Sequence, residues 1–181
     1  MKPLTQKQFG SLRRKRLVVC HPLAFLDEHK IGLHLDHSAR ILPEKIDLNS
    51  NLSPEDFDEI DLRHESLLPG RKYLGTSTQH ISLPGNVWGL LHSRSTLARF
   101  GIDFFGSSYY VSPGFGAEVP TPIVYEISVS SETTGIPLNE PVAGLLLFTS
   151  DTDTSLWRGR GRHAVRFPFS EYVPNEGEQN D

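Results

Sequence analysis

The sequence predicts a mainly β domain with one short N-terminal helix, and three observations predict it. Turns at Leu68-Pro69-Gly70, Leu83-Pro84-Gly85, Ser112-Pro113-Gly114 and Ile136-Pro137-Leu138 separate short apolar runs, which is the punctuation of sheets. Ile31-Gly32-Leu33-His34-Leu35-Asp36 alternates apolar and polar residues, as a half-buried strand does, and sets His34 and Asp36 on one face. Thr5-Gln6-Lys7-Gln8 has the form of a capping box, in which hydroxyl and amide satisfy free backbone donors and start a helix.

In chain order, these signals predict a helix from about residue 6 to 15 and a strand over Leu17 to Cys20. Residues 49 to 65 are acidic and contain Pro and Ser, and Pro54-Glu55-Asp56-Phe57-Asp58-Glu59 reads as a loop with one helical turn. Beyond residue 66 the expected strands are Arg71 to Thr76, His80 to Leu83, Val87 to Leu91, Ile102 to Phe105, Ile123 to Val129 and Ala143 to Thr149. Ser95 to Phe100 alone reads as helical there, with Gly101 placed as its C-terminal cap. A single domain is expected over residues 1–173, followed by a polar tail over 174–181 expected to be disordered.

Composition narrows the function classes. The chain has 181 residues, enough to bury one core, and its net charge of -4 gives it no general attraction to nucleic acid. An anionic ligand must therefore be held by local basic residues. The lone Cys20 rules out an internal disulfide and a cysteine-based zinc site. No apolar run approaches the roughly 20 residues of a membrane span, and the apolar stretch after Arg13-Arg14-Lys15-Arg16 is too short for a signal-peptide core. The expected setting is a reduced cytoplasm, without membrane or nucleic-acid partners.

The segment from Arg94 to Glu126 carries the functional signal: two arginines, hydroxyls, a tight Pro-Gly turn and one acid inside an apolar strand. Such a set suits a polyphosphate-bearing ligand held beside a single acid/base. Within Ile123-Val124-Tyr125-Glu126-Ile127, partial burial of Glu126 would raise its carboxyl pKa toward neutrality, and the alternative is an outward-facing strand residue. Arg99 falls one helical turn after Ser95, so both side chains can face one pocket. The alternative for Arg94 and Arg99 is a pair of surface salt bridges.

Leu83-Pro84, Val87-Trp88-Gly89, Arg94-Ser95-Thr96-Leu97-Ala98-Arg99-Phe100-Gly101, Val111-Ser112-Pro113-Gly114-Phe115, Ile123-Val124-Tyr125-Glu126 and Ala143-Gly144-Leu145-Leu146-Leu147-Phe148 follow one another in that order. In this order they resemble the dCTP deaminase and dUTPase superfamily, and more closely its deaminase branch. The resemblance covers residues 66–150. It implies a dUTPase-like distorted β-barrel, jelly-roll-like in form, and a homotrimer with active sites between subunits. A pyrimidine nucleotide would be the ligand, and Mg2+ would come with its triphosphate in place of a catalytic zinc.

The resemblance also implies roles. Glu126 would be the proton shuttle of a hydrolytic deamination at C4 of cytosine, a reaction that needs a base, an acid and a donor for the developing charge. Arg99 would orient the pyrimidine and the acid, and Ser95 would help hold the attacking water. Arg94 and Thr96 would donate to phosphate near the start of a helical turn. Ser108 matches a position whose main-chain carbonyl places the water. Tyr109 or Tyr110 would pack against sugar or base, one of the two being core because neighbouring strand residues point to opposite faces. Asp36 would lie near the hydrated magnesium, with pairing to a basic neighbour as the alternative. Trp157, Arg158 and Arg160, with Arg162, stand where the family closes a tail over the phosphates; the alternative is a plain basic loop.

One residue departs from the pattern. The family places Asp before Pro-Gly, where it binds the sugar 3'-hydroxyl and activates water for pyrophosphate release; this chain has Ser112. A hydroxyl cannot serve as that base, so direct dUTP diphosphatase activity is expected to be absent or very weak. The connection Gly116-Ala117-Glu118-Val119-Pro120-Thr121-Pro122 is longer than usual, and Glu118 is a candidate replacement acid. Two other readings stand beside deamination: another pyrimidine-nucleotide hydrolase on the same fold, and a non-catalytic nucleotide-binding or assembly homologue.

Overall fold

A computed structural model describes residues 2–14, 19–21, 26–27, 30–45, 54–104, 109–117 and 119–149. The elements are β1 (Lys2–Pro3), α1 (Gln6–Arg14), β2 (Val19–His21), β3 (Leu26–Asp27), β4 (Lys30–Leu33), β5 (Leu35–Ile41) and β6 (Asp58–Asp61). They continue with β7 (Lys72–Ser82), β8 (Val87–Ser93), α2 (Ser95–Arg99), β9 (Ile102–Asp103), β10 (Tyr110–Val111), β11 (Thr121–Val129) and β12 (Ala143–Thr149). Two antiparallel sheets result. One runs β10-β8-β12-β4-β3 with β1 added to β12, and the other runs β6-β5-β7-β11-β9 with β2 added to β7. The inward residues of both sheets, among them Leu33, Tyr73, Ile81, Val87, Tyr125 and Leu145, form one core. Full burial of a residue such as Leu145 stabilises the fold by about 1.5–3 kcal/mol. The expected mainly β architecture with an N-terminal helix is what forms.

The capping box is present as read: Thr5 N donates to Gln8 Oε1 at 2.9 Å and Gln8 N donates to Thr5 Oγ1 at 3.3 Å. Leu4 and Phe9 flank it at the positions of a hydrophobic staple, and both are buried. Leu4 N donates to Leu147 O at 2.8 Å, which ties the helix start to β12.

Three expectations change. The strand read across residues 31–36 is cut at His34: β4 belongs to one sheet and β5 to the other, so His34 is a corner between sheets. The two strands read over residues 71–83 are one, β7, because polar Ser77 and Gln79 face inward and repair the ladder at neighbouring irregularities. Gln79 Oε1 accepts from His34 N at 2.8 Å and its amide nitrogen lies 3.0 Å from His34 Nδ1. Ser77 Oγ accepts from Ile123 N at 2.9 Å, next to the register shift between Pro122 and Val124. The acidic stretch read as a loop contains the expected helical turn at Pro54–Asp56, but its next residues form edge strand β6 against β5. Asp and Glu have low β-propensity and pairing overrides it, while charge on an edge strand discourages further pairing.

Candidate active site

Glu126 sits in the middle of β11, where the burial pattern alternates strictly. Tyr125 and Ile127 point into the core, so Glu126 and Val124 point out. Tyr125 meets Phe104 edge to face at 5.8 Å, and burial pushes its phenol pKa far up, so it stays neutral. Glu126 pairs across β7 with Leu74, and Arg40 of β5 stands next in the same row. Within the single chain Glu126 is exposed. The expected partial burial is therefore not provided by these residues, because no described element covers the outer face of β11.

Helix α2 holds the arginine motif. Its one buried residue, Leu97, anchors it, while Ser95, Thr96 and Arg99 are exposed. Ser95 and Arg99 stand one turn apart, as read. The helix stops at Gly101, whose φ of 74° lies in the left-handed region and whose N donates to Ala98 O at 3.0 Å. Gly101 O then accepts from Ser130 N at 2.9 Å, which fixes α2 to the end of β11. A Cβ at Gly101 would overlap the Ser130 hydroxyl and lie 2.9 Å from Ser130 Cβ. Gly101→Ala is therefore expected to cost at least about 1–2 kcal/mol from the left-handed backbone alone. In a thermal melt this lowers the Tm by about 3 °C or more; an unchanged Tm would show that the junction relaxes freely.

Arg94 precedes the helix. Its N donates to Val142 O at 3.2 Å, and its Nη1 donates to Glu140 Oε2 at 2.7 Å and to Pro141 O at 3.2 Å. The salt bridge weighed for Arg94 is thus real; Arg99 has no ion pair among the described residues.

Ser112 opens the turn expected at Pro113-Gly114. Its carbonyl accepts from Phe115 N at 3.1 Å, Gly114 has a φ of 77°, and Leu83 N donates to Phe115 O at 2.8 Å. Ser112 is half-buried. Tyr109 and Tyr110 are 44% and 54% exposed, so neither is the core residue expected of one of them; Val111 takes that place. Tyr110 lies against Trp88 with ring centres 5.4 Å apart. Asp36 is half-buried, and its Oδ1 lies 2.7 Å from His37 Nδ1, so its partner is its own strand neighbour. Among the described residues no three His, Cys, Asp or Glu side chains gather as metal ligands. No helix among them is long and apolar enough to cross a membrane. Ser108, Glu118, Trp157, Arg158, Arg160 and Arg162 lie outside the described residues.

The motifs therefore occupy different parts of β11. Gly101 meets Ser130, four residues from Glu126 and about 13 Å along the strand. The Ser112 turn meets the chain near Ile81, whose partner Thr121 is five residues from Glu126 in the other direction, about 17 Å. Glu140 escapes sequence reasoning because it lies 46 residues from Arg94. The only local signal for it is a carboxylate set before Pro141 in a loop.

No protein-family model matches the chain. Curated relatives do. The dUMP-forming dCTP deaminase of Dictyoglomus turgidum is 30% identical over 119 residues, covering 52% of this chain and 61% of that protein. The dCTP deaminase of Buchnera aphidicola subsp. Baizongia pistaciae is 38% identical over 53 residues, covering 29% and 28%. The chain thus spans less than two thirds of the length of these relatives. Among solved structures, the 2'-deoxycytidine 5'-triphosphate deaminase of Agrobacterium tumefaciens superposes with a TM-score of 0.58 at 15% identity, over 82% of this chain and 48% of that one. That likeness is one of fold.

Proposed function

We propose, from the chain's membership of the dCTP deaminase and dUTPase superfamily, that it hydrolyses a cytosine nucleotide to the uracil nucleotide and ammonia. The observation that carries this reading is the pairing of two features: a short helix presenting Ser95 and Arg99 outward, and a strand presenting a single acid, Glu126, on an open sheet face. Water adds to C4 of the base and the C4–amine bond breaks. Glu126 takes one proton from that water and delivers it to the ring nitrogen, then carries the second, from the C4 hydroxyl of the adduct, to the amine, which leaves as ammonia while the C4 carbonyl forms. Arg99 orients the base and the acid, Ser95 holds the water, and Arg94 and Thr96 bind phosphate.

The site is completed in this reading by further copies of the chain in a homotrimer. Two features support that. The motifs lie at different positions along one strand, and Val124 and Phe100, 45% and 68% exposed, stand beside Glu126 and Arg99 as apolar surface for a neighbour to cover. Asp36, half-exposed on β5, would hold through water a magnesium ion that came with the triphosphate, and the ion would supply charge neutralisation there. Tyr109, exposed next to β10, contacts the nucleoside.

Incubation with dCTP, CTP, dUTP and their monophosphates plus magnesium, with all products separated, tests the reading. Ammonia with a retained triphosphate is the expected result. Pyrophosphate or free base in its place indicates another hydrolase on this fold, and binding without turnover across the panel indicates a non-catalytic homologue.

A further inference from the structure

We infer that Glu140 is a positioning residue that presets Arg94 for the phosphates of the nucleotide. The inference rests on the nucleotide reading above and deepens it. Residues 140–142 hold Arg94 at three points: Glu140 Oε2 and Pro141 O both accept from Nη1, at 2.7 and 3.2 Å, and Val142 O accepts from the backbone N at 3.2 Å. All the side-chain contacts use one nitrogen. Nε and Nη2 have no partner among the described residues, and together they form one of the planar edges with which a guanidinium grips a phosphate bidentately.

The pair is also a poor stabiliser of the fold. With side chains 41% and 63% exposed, it is screened by water, and such pairs contribute little to stability. Its effect is on orientation. A free arginine loses rotamer freedom when a phosphate immobilises it, whereas one already pinned through Nη1 has lost part of that freedom beforehand. Removing the pin should therefore weaken phosphate binding without touching the chemistry at the base. A carboxylate beside a phosphate site also has an opposite effect, competition for the arginine, and the sign of the mutational change separates the two.

The experiment uses the full chain and two probes: inorganic tripolyphosphate, with binding read by calorimetry, and dCTP, with turnover read as ammonia. Glu140→Ala is expected to weaken tripolyphosphate binding and raise KM about three- to tenfold, with kcat within about twofold of wild type. Glu140→Gln keeps an acceptor oxygen and is expected to recover most of the loss. In the Arg94→Ala background, Glu140→Ala is expected to add nothing, since the two residues act as a unit. Unchanged or tighter tripolyphosphate binding by Glu140→Ala would overturn the inference, as would a wild type that does not bind tripolyphosphate. Tripolyphosphate binding that is lost in Glu140→Ala, in a protein that turns over no cytosine nucleotide, supports the inference and overturns the deaminase reading alone.

Discussion

Glu126→Gln is expected to lower kcat for deamination by about 10²- to 10⁴-fold, the usual contribution of a positioned proton-transfer group, while nucleotide binding persists. The amide has the shape of the acid but cannot pass a proton from water to the leaving amine. The fold makes the test clean. Glu126 projects from the exposed face of β11 while the core contacts of that strand belong to Ile123, Tyr125 and Ile127. Within the single chain, a substitution at such an exposed position changes folding stability by no more than about 0.5 kcal/mol. Comparable thermal melts for the two proteins, with binding retained and turnover lost, assign the shuttle to Glu126. Turnover within tenfold of wild type would remove Glu126 from the mechanism.

Ser112 leads to the second large effect. With dCTP as substrate, the expected products are ammonia and a uracil nucleotide that keeps its triphosphate, with pyrophosphate release at least about 100-fold slower than ammonia release. The reason is chemical: a hydroxyl at the head of the Pro113-Gly114 turn cannot take a proton from water at neutral pH, whereas the family's carboxylate can. The turn has the geometry expected of it, with Gly114 left-handed and the Ser112 carbonyl bonded to Phe115 N. Ser112→Asp should therefore seat a carboxylate there and raise pyrophosphate yield. Substantial dUMP from the wild-type chain would show that another residue supplies the base.

Much of the fold is legible in the sequence because its signals are local. The box at Thr5 and Gln8, the Gly101 cap and the turns at Pro69, Pro84 and Pro113 each depend on residues within a few positions of one another, and each forms as read. What was not legible depends on partners far along the chain. The single strand β7 survives its polar centre only because His34 and Ile123, brought in by two other strands, bond to Gln79 and Ser77. Strand β6 exists only because β5 offers it a ladder.

The same division runs through the site. Sequence by itself determined the candidate residues: a Ser95–Arg99 pair one helical turn apart, a single acid within an apolar strand, and a serine before Pro113-Gly114. These are properties of spacing and side-chain chemistry, which the chain carries whatever it folds into. Tertiary structure alone decided how they are disposed. It put α2 at the Ser130 end of β11 and the Ser112 turn toward the Thr121 end. It left Glu126 exposed between them and tied Arg94 to a carboxylate from another loop. Hydrogen-bonded register between distant segments sets those positions, and a linear spacing rule contains no information about register.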